Sequence, residues 1–362
     1  MSDHRRIFSL WGFQRFEPHK VGIEPSSIDK GVPELCDIGH QVVSIYPRRF
    51  EQSATRRLPT HLRRRMVYLL ATFSMLRAMR ADDAIYTTDN IWGHWISKLK
   101  RLGIVRNRFI FKWAGFDISY ASMADGRHPR DAAKFRLIAK CADAIIATSQ
   151  HEITLIAKTF PESASKLIFA PTGVDIGFYR KFIATTAEDR FSLVAVGSDN
   201  KRDWNTVIQL AKRGVAVTLL TDDPHAKQMF DATVVSDPSI ALTLEYRVGY
   251  LRSAEIMGGA RAIIVATLPN DRFSGATTVG VAAALGRPLI LDEPFDLAAY
   301  GLATGVNCEA FERGNVSSAL AAVRRIFDDS SHEERLSQEI SSITCRVSTH
   351  QFAEAISMAA QR

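Results

Sequence analysis

Phe273 to Glu293 reads FSGATTVGVAAALGRPLILDE. The stretch opens on a Ser-Gly-Ala-Thr-Thr turn, runs into a small-residue helix (Val279 to Leu285), stops at Gly286-Arg287-Pro288 and resumes as an apolar strand, Leu289 to Leu291, that ends in acid. Loop, helix, tight turn and buried strand in that order form a unit of an α/β sheet. Small hydroxylated residues at a helix N-terminus leave backbone N–H groups open to an anion, and the helix dipole adds about half a positive charge there. Alanines let the helix lie close to a sheet, Gly286 suits a left-handed cap, and Pro288 bars the helix from continuing. Two readings are open for the stretch: a phosphate cradle, or an ordinary helix–strand packing unit.

The alternation extends through the chain. Upstream, strands are expected at Arg5 to Phe13, Gln41 to Tyr46, Asp83 to Thr88, Arg108 to Trp113 and Ala144 to Ala147, with helices at Ile28 to Gly39, Leu62 to Leu76, Trp92 to Leu102, Pro129 to Cys141 and Glu152 to Phe160. Pro171-Thr-Gly-Val-Asp175 breaks the pattern, as a hinge would. From Phe191 it restarts: strands at Ser192 to Val196, Val215 to Leu220, Leu242 to Val248 and Ala262 to Ala266, and helices at Asn205 to Arg213, Ser253 to Gly259 (with Ser253 as its cap) and Val316 to Phe327. Such alternation is the pattern of a doubly wound parallel sheet, here twice, and ligands of such sheets collect at the carboxyl ends of the strands. Gly12, Asp89 and Asp117 fall at strand ends and are expected near one crevice. The expected layout is an N-terminal domain over 1–172, a hinge over 173–190, a C-terminal domain over 191–340 and a terminal helix over 341–362.

At 362 residues the chain is long enough for two cores. Its four cysteines are scattered and form no CxxC, which argues against a zinc site or a disulfide framework and fits a reducing, cytoplasmic setting. No run of about 18 apolar residues is present. The net charge of +7 is uneven: residues 1–175 hold 27 Lys and Arg against 17 Asp and Glu, and the remainder holds 19 against 22. Arg48 to Arg80 contains nine arginines and one acid, Glu51, beside Leu62, Met66, Leu69, Phe73 and Leu76 at helical spacing. Either this is a core helix with a solvated basic edge, or the segment meets an anionic membrane surface or holds an anionic acceptor. Nucleic acid is not expected as a partner, because the arginines are not interleaved with aromatics and no reading motif occurs.

Several chemistries lack their residues. There is no GxG, no GxxxxGK[ST], no DxD, no GxSxG and no HExxH, so neither a dinucleotide fingerprint, a P-loop nor a metal site is indicated. A diphosphate site made of charge and backbone amides remains. Lys201 and Arg202 follow a strand and Gly197, and an arginine fork suits phosphate; the alternative is a solvated loop.

In their order, Pro171-Thr-Gly-Val-Asp, Val196-Gly197 with Lys201-Arg-Asp-Trp204, Ser253-Ala-Glu-Ile, Ser274-Gly-Ala-Thr-Thr, Ala284-Leu-Gly-Arg-Pro-Leu-Ile and Gly305-Val-Asn resemble the GT-B glycosyltransferases of the retaining group called family 4. The resemblance covers residues 140 to 330 and is topological before that. It implies two Rossmann-like domains facing a cleft, a nucleotide sugar held by the second and an acceptor held by the first. It implies donor binding by Lys201, Arg202 and Ser274-Gly275-Ala276-Thr277-Thr278. The acids expected at Phe273 and Val281, the arginine expected at Ser198 and the histidine expected at Ala114 are absent; Glu293, with Asp292, is the nearest partial substitute for a ribose-binding carboxylate.

The resemblance implies a metal-independent transferase with no cofactor beyond the nucleotide sugar. It would act on a glycan or lipid-linked acceptor in polysaccharide or glycolipid biosynthesis, in the cytoplasm and peripherally on the inner membrane face. Arg202 would stabilise the departing diphosphate, and Asp117 or Asp89 would serve as base if the reaction inverts. The alternative is a degenerate GT-B protein that binds a glycan, lipid or partner without turnover; a GT-B epimerase or phosphorylase is a third reading.

Overall fold

The computed structural model describes residues 5–12, 20–50, 58–113, 120–183, 191–198, 200–269, 274–293 and 296–361. The chain divides into two compact units. Unit 1 comprises Met1–His19, Asp29–Ala170 and His350–Arg362, and unit 2 comprises Lys20–Ile28 and Pro171–Thr349.

Unit 1 is built on β1 (Arg6–Leu10), β2 (Gln41–Ile45), β3 (Ala84–Thr87), β4 (Arg108–Lys112), β5 (Ala144–Ala147) and β6 (Leu167–Phe169). They lie in the order β2-β1-β3-β4-β5-β6, each neighbouring pair parallel. A parallel sheet needs cover on both faces, so its strands read as short apolar runs rather than alternating ones. On one face Phe8, Ile85, Phe109, Phe111 and Ile145 meet Val67, Trp92 and Ile138 of the covering helices. On the other, Ile7, Tyr86, Ile110 and Ile146 meet Leu35 and, from the Thr349–Gln361 helix, Phe352, Ile356 and Ala359. The last helix of the chain thus completes a layer of unit 1. Each of its fully buried large apolar side chains contributes about 1.5–3 kcal/mol.

Unit 2 is built on β7 (Phe191–Val196), β8 (Val217–Thr221), β9 (Leu242–Tyr246), β10 (Ala260–Val265), β11 (Leu289–Glu293) and β12 (Glu309–Glu312). Its order is β12-β11-β10-β7-β8-β9, again parallel throughout. Strand order reverses between β7 and β10 in this unit and between β1 and β3 in unit 1. At such a reversal the helices leave to opposite faces and open a crevice beyond the strand ends.

Some elements differ from expectation. The helix expected over Ile28 to Gly39 is interrupted, because Lys30 and Gly31 take φ 52° and 80°; a 3-10 turn at Ser26–Asp29 precedes a helix at Val32–Asp37. Ser253 is not a cap: the helix spans Tyr250–Gly258 after Gly249. Strands β6 and β12 and the Pro224–Ser236 helix are additions to the expected set. In the Thr60–Ala78 helix the buried residues are Val67, Tyr68, Ala71, Thr72 and Met75, whereas Leu62, Met66, Leu69 and Phe73 are 41–66% exposed. Of the apolar row read in the sequence, Leu76 packs against the core while Leu62, Met66, Leu69 and Phe73 face solvent. Among the described residues no helix is long and apolar enough to cross a membrane.

Candidate functional site

The carboxyl end of β7 sets the position of Arg202. After Val196 the chain turns at Gly197 and returns as a short antiparallel pairing with the segment following β10. Leu268 N–H donates to the Lys201 carbonyl (2.8 Å), Asp203 N–H donates to the Ala266 carbonyl (3.0 Å), and Arg202 bridges Thr267. Asp203 then caps the Trp204–Lys212 helix, accepting from Thr206 N–H at 3.0 Å, and Trp204 Nε1 is anchored on Asp223 at 2.9 Å. Loop, cap and anchor hold the Arg202 backbone at the β7/β10 reversal. Its side chain folds back over Gly197, where any Cβ would overlap it, and it is only 9% exposed. Lys201 beside it is partly exposed.

The Ala276–Leu285 helix starts at the same place. Gly275 has φ 104° and ψ −7°, a left-handed conformation unfavourable to other residues, and no side chain caps the helix. A Cβ at Gly275 would lie 3.3 Å from Arg202 Nη1 and 2.6 Å from Val265 Cγ1. Arg202 and Gly275, 73 positions apart in the sequence, therefore meet. Ser274, Ala276 and Thr278 are buried around this point and Thr277 is exposed. The helix itself is buried nearly all round, because its small residues let it approach Val174, whose side chain occupies the space a Cβ at Gly280 would fill. Guanidinium and first-turn amides together form a positive end suited to an anion with several oxygens.

One strand further, Asp292 is fully buried. Thr267 Oγ1 donates to its Oδ2 at 2.8 Å, and Arg313 Nε donates to the same oxygen. Its Oδ1 is buried with no hydrogen-bond partner among the described residues. Thr267 connects this carboxylate to the Arg202 strand end. Neither Thr267 nor Arg313 stands out in the sequence; the signal available was polar residues where apolar strands end. Glu293, the last residue of β11, is exposed, and β10 lies between its strand and β7. Val281, where a ribose-binding acid is expected, is buried. Phe273 lies outside the described residues, as do Ala114 and Asp117.

At the unit 1 reversal, Gly12 and Asp89 do come together: a Cβ at Gly12 would sit 2.9 Å from Asp89 Oδ2. Asp89 Oδ1 accepts the Trp92 N–H at 2.8 Å and so caps the Asn90–Arg101 helix. Burial raises its carboxyl pKa above the ordinary value, opposed by the Trp92 and Ile91 amides and the Tyr68 hydroxyl. Among the described residues no three His, Cys, Asp or Glu side chains gather in a way that could hold a metal ion.

No family model and no curated protein matches the chain. Solved structures do. Sucrose-phosphate synthase from Thermosynechococcus elongatus superposes with a TM-score of 0.74 at 13% identity, covering 98% of each chain. The Anabaena protein HepE in complex with UDP and glucose gives 0.70 at 12% identity, covering 98% of this chain and 99% of that one. WaaG, a glycosyltransferase involved in lipopolysaccharide biosynthesis, gives 0.63 at 13% identity, covering 97% and 98%. The fold is the GT-B fold of two Rossmann-like units.

Proposed function

We propose that the protein is a glycosyltransferase that binds a nucleotide sugar in unit 2, with the donor diphosphate between the Arg202 guanidinium and the helix start at Ser274, Gly275, Ala276, Thr277 and Thr278. The observation that carries this reading is the meeting of Arg202 with Gly275 at the strand-order reversal, where a left-handed glycine opens an uncapped helix. In this proposal Lys201 adds charge at the mouth, and Glu293 would serve as the carboxylate for the ribose. The anomeric C–O bond to the diphosphate breaks, a C–O bond to the acceptor hydroxyl forms, and the hydroxyl proton passes to the departing diphosphate. An inverting course would instead give that proton to Asp117 or Asp89. Arg202 and the helix amides offset the charge that develops on the diphosphate, the part a metal plays elsewhere, so the proposal is metal-independent and needs no cofactor.

The acceptor in this proposal is a glycan or a lipid-linked sugar of polysaccharide or glycolipid synthesis. The setting is the cytoplasmic face of a membrane, approached through Arg48 to Arg80. Support for a nucleotide sugar comes from the fold shared with the Anabaena protein bound to UDP and glucose. Incubation with a panel of UDP-, GDP- and ADP-sugars tests the reading: sugar release or transfer is expected with one of them and is lost in Arg202→Ala. A second reading, binding without turnover, is favoured by the buried Val281 and by the capping role of Asp89. Nucleotide binding without any sugar release across the panel would select it.

A further inference from the structure

The Thr60–Ala78 helix turns one apolar face into unit 1 and leaves a second outside. Leu62, Met66, Leu69 and Phe73 recur at helical spacing and are exposed, and from first to last they run about 16 Å along the axis. Single exposed apolar residues are ordinary, but an aligned row beside a cavity marks a binding surface. The cavity opens against this helix and the Asn90–Arg101 and Pro129–Cys141 helices, with a volume of about 990 Å³. That is the upper end of the range for a ligand site, about 300–1,000 Å³. Leu62, Leu69, Ile91, Trp95 and Phe135 make its lining mainly apolar. Arg64, Arg65, Lys98 and Lys134 stand on it as cations, against one carboxylate, Asp131, which already accepts from Lys134 at 2.9 Å. His94 also lines it, and its Nδ1 is buried with no hydrogen-bond partner among the described residues.

Charge complementarity selects the occupant. An apolar trough alone would suit any hydrocarbon or apolar peptide, whereas four cations beside it suit an apolar chain joined to an anion. We propose that this groove holds a hydrocarbon chain of an anionic bilayer lipid, with the headgroup against Arg64, Arg65, Lys98 and Lys134. The site is confined to unit 1 and does not depend on the nucleotide-sugar reading of unit 2. It differs from surface adsorption by a basic segment in that a chain leaves the bilayer and lies against Trp95.

Trp95 supplies the test, because bromine on an acyl chain quenches indole emission only at contact. The full-length protein is mixed with vesicles of phosphatidylglycerol carrying brominated chains, and emission is compared with unbrominated vesicles. Quenching is expected in the wild type and most of it is expected to disappear in Trp95→Phe. Leu69→Glu, at a half-exposed position that should not disturb folding, is expected to weaken vesicle-dependent quenching about tenfold. Brominated phosphatidylcholine vesicles are expected to quench about tenfold less at equal lipid, since each basic residue near an anionic surface adds to the affinity. Equal quenching of wild type and Trp95→Phe, sedimentation with vesicles without quenching, or no effect of Leu69→Glu would each overturn the proposal. UDP binding by Leu69→Glu reads unit 2 separately.

Discussion

The two strand-order reversals of this molecule share a topology and differ in chemistry. In unit 1, β1 and β3 end at Gly12 and Asp89, and the carboxylate turns inward to cap the next helix. In unit 2, β7 is followed by Gly197, and the Ala276–Leu285 helix that follows β10 opens at Gly275 with no side-chain cap and the Arg202 guanidinium beside it. A helix N-terminus offers positive potential in both places. In unit 1 Asp89 uses it on the helix after β3; in unit 2 Asp203 uses it on the helix after β7, while the start of the Ala276–Leu285 helix has no side-chain cap and lies beside Arg202. Topology provides both crevices, and the meeting of an uncapped helix start with the Arg202 guanidinium sets the unit 2 crevice apart as the one suited to an anion.

Replacing the cation should break the comparison most completely. Arg202→Ala is expected to weaken nucleoside diphosphate binding about 100-fold, the range for removing a desolvated, hydrogen-bonded charge partner, as read by calorimetry. Arg202→Lys should recover only part, because an ammonium lacks the planar fork.

Lys112 sharpens the contrast from the other side. It is a buried cation of unit 1, at the end of β4, with its Nζ 5.7 Å from the Phe352 ring centroid. Burial, with Lys30 nearby, lowers its pKa from 10.5 to about 7, and Glu152 opposes the shift. Between those two values the unfolded chain carries a proton that the folded chain lacks. Stability therefore rises with pH through that window, by about 1 kcal/mol per pH unit from this group, and the slope ends below it, where both states are protonated. Lys112→Met should remove this component from denaturant midpoints taken between pH 7 and 10.

Gly275→Ala should cost about 1–3 kcal/mol of stability, because alanine is strained at φ 104°. Its methyl group would also press on Val265 and Arg202, so nucleotide affinity should fall with it. Asp89→Ala should have the smallest effect, a loss of about 1 kcal/mol from an absent helix cap, with nucleotide binding unchanged. A reduced affinity in Asp89→Ala would mean that the two reversals are not independent.

The alternation of strand and helix was legible in the sequence because a parallel sheet buried on both faces demands short apolar runs with glycine or acid at their ends. Strand order was not, since no local pattern states which neighbour a strand takes. Arg202 and Gly275 could be named from their positions after strands, but their contact depends on β7 lying beside β10. The Leu62–Phe73 stripe was visible but its direction was not, because two apolar faces share one helix and it is Val67, Ala71 and Met75 that are buried. Lys30 and Gly31 hid a break inside an apparently continuous helix. Thr267, Asp292 and Arg313 gather from three separate strand ends, so only the fold reveals their network.

The central claim is that the unit 2 reversal, and not the unit 1 reversal, receives a diphosphate. A crystal structure of the protein soaked with UDP, GDP or ADP tests it most directly. Phosphate oxygens are expected against the Arg202 guanidinium and the amides of Ala276 to Thr278. Phosphate density beside Gly12 and Asp89, or none at either place under saturating nucleotide, would contradict the claim.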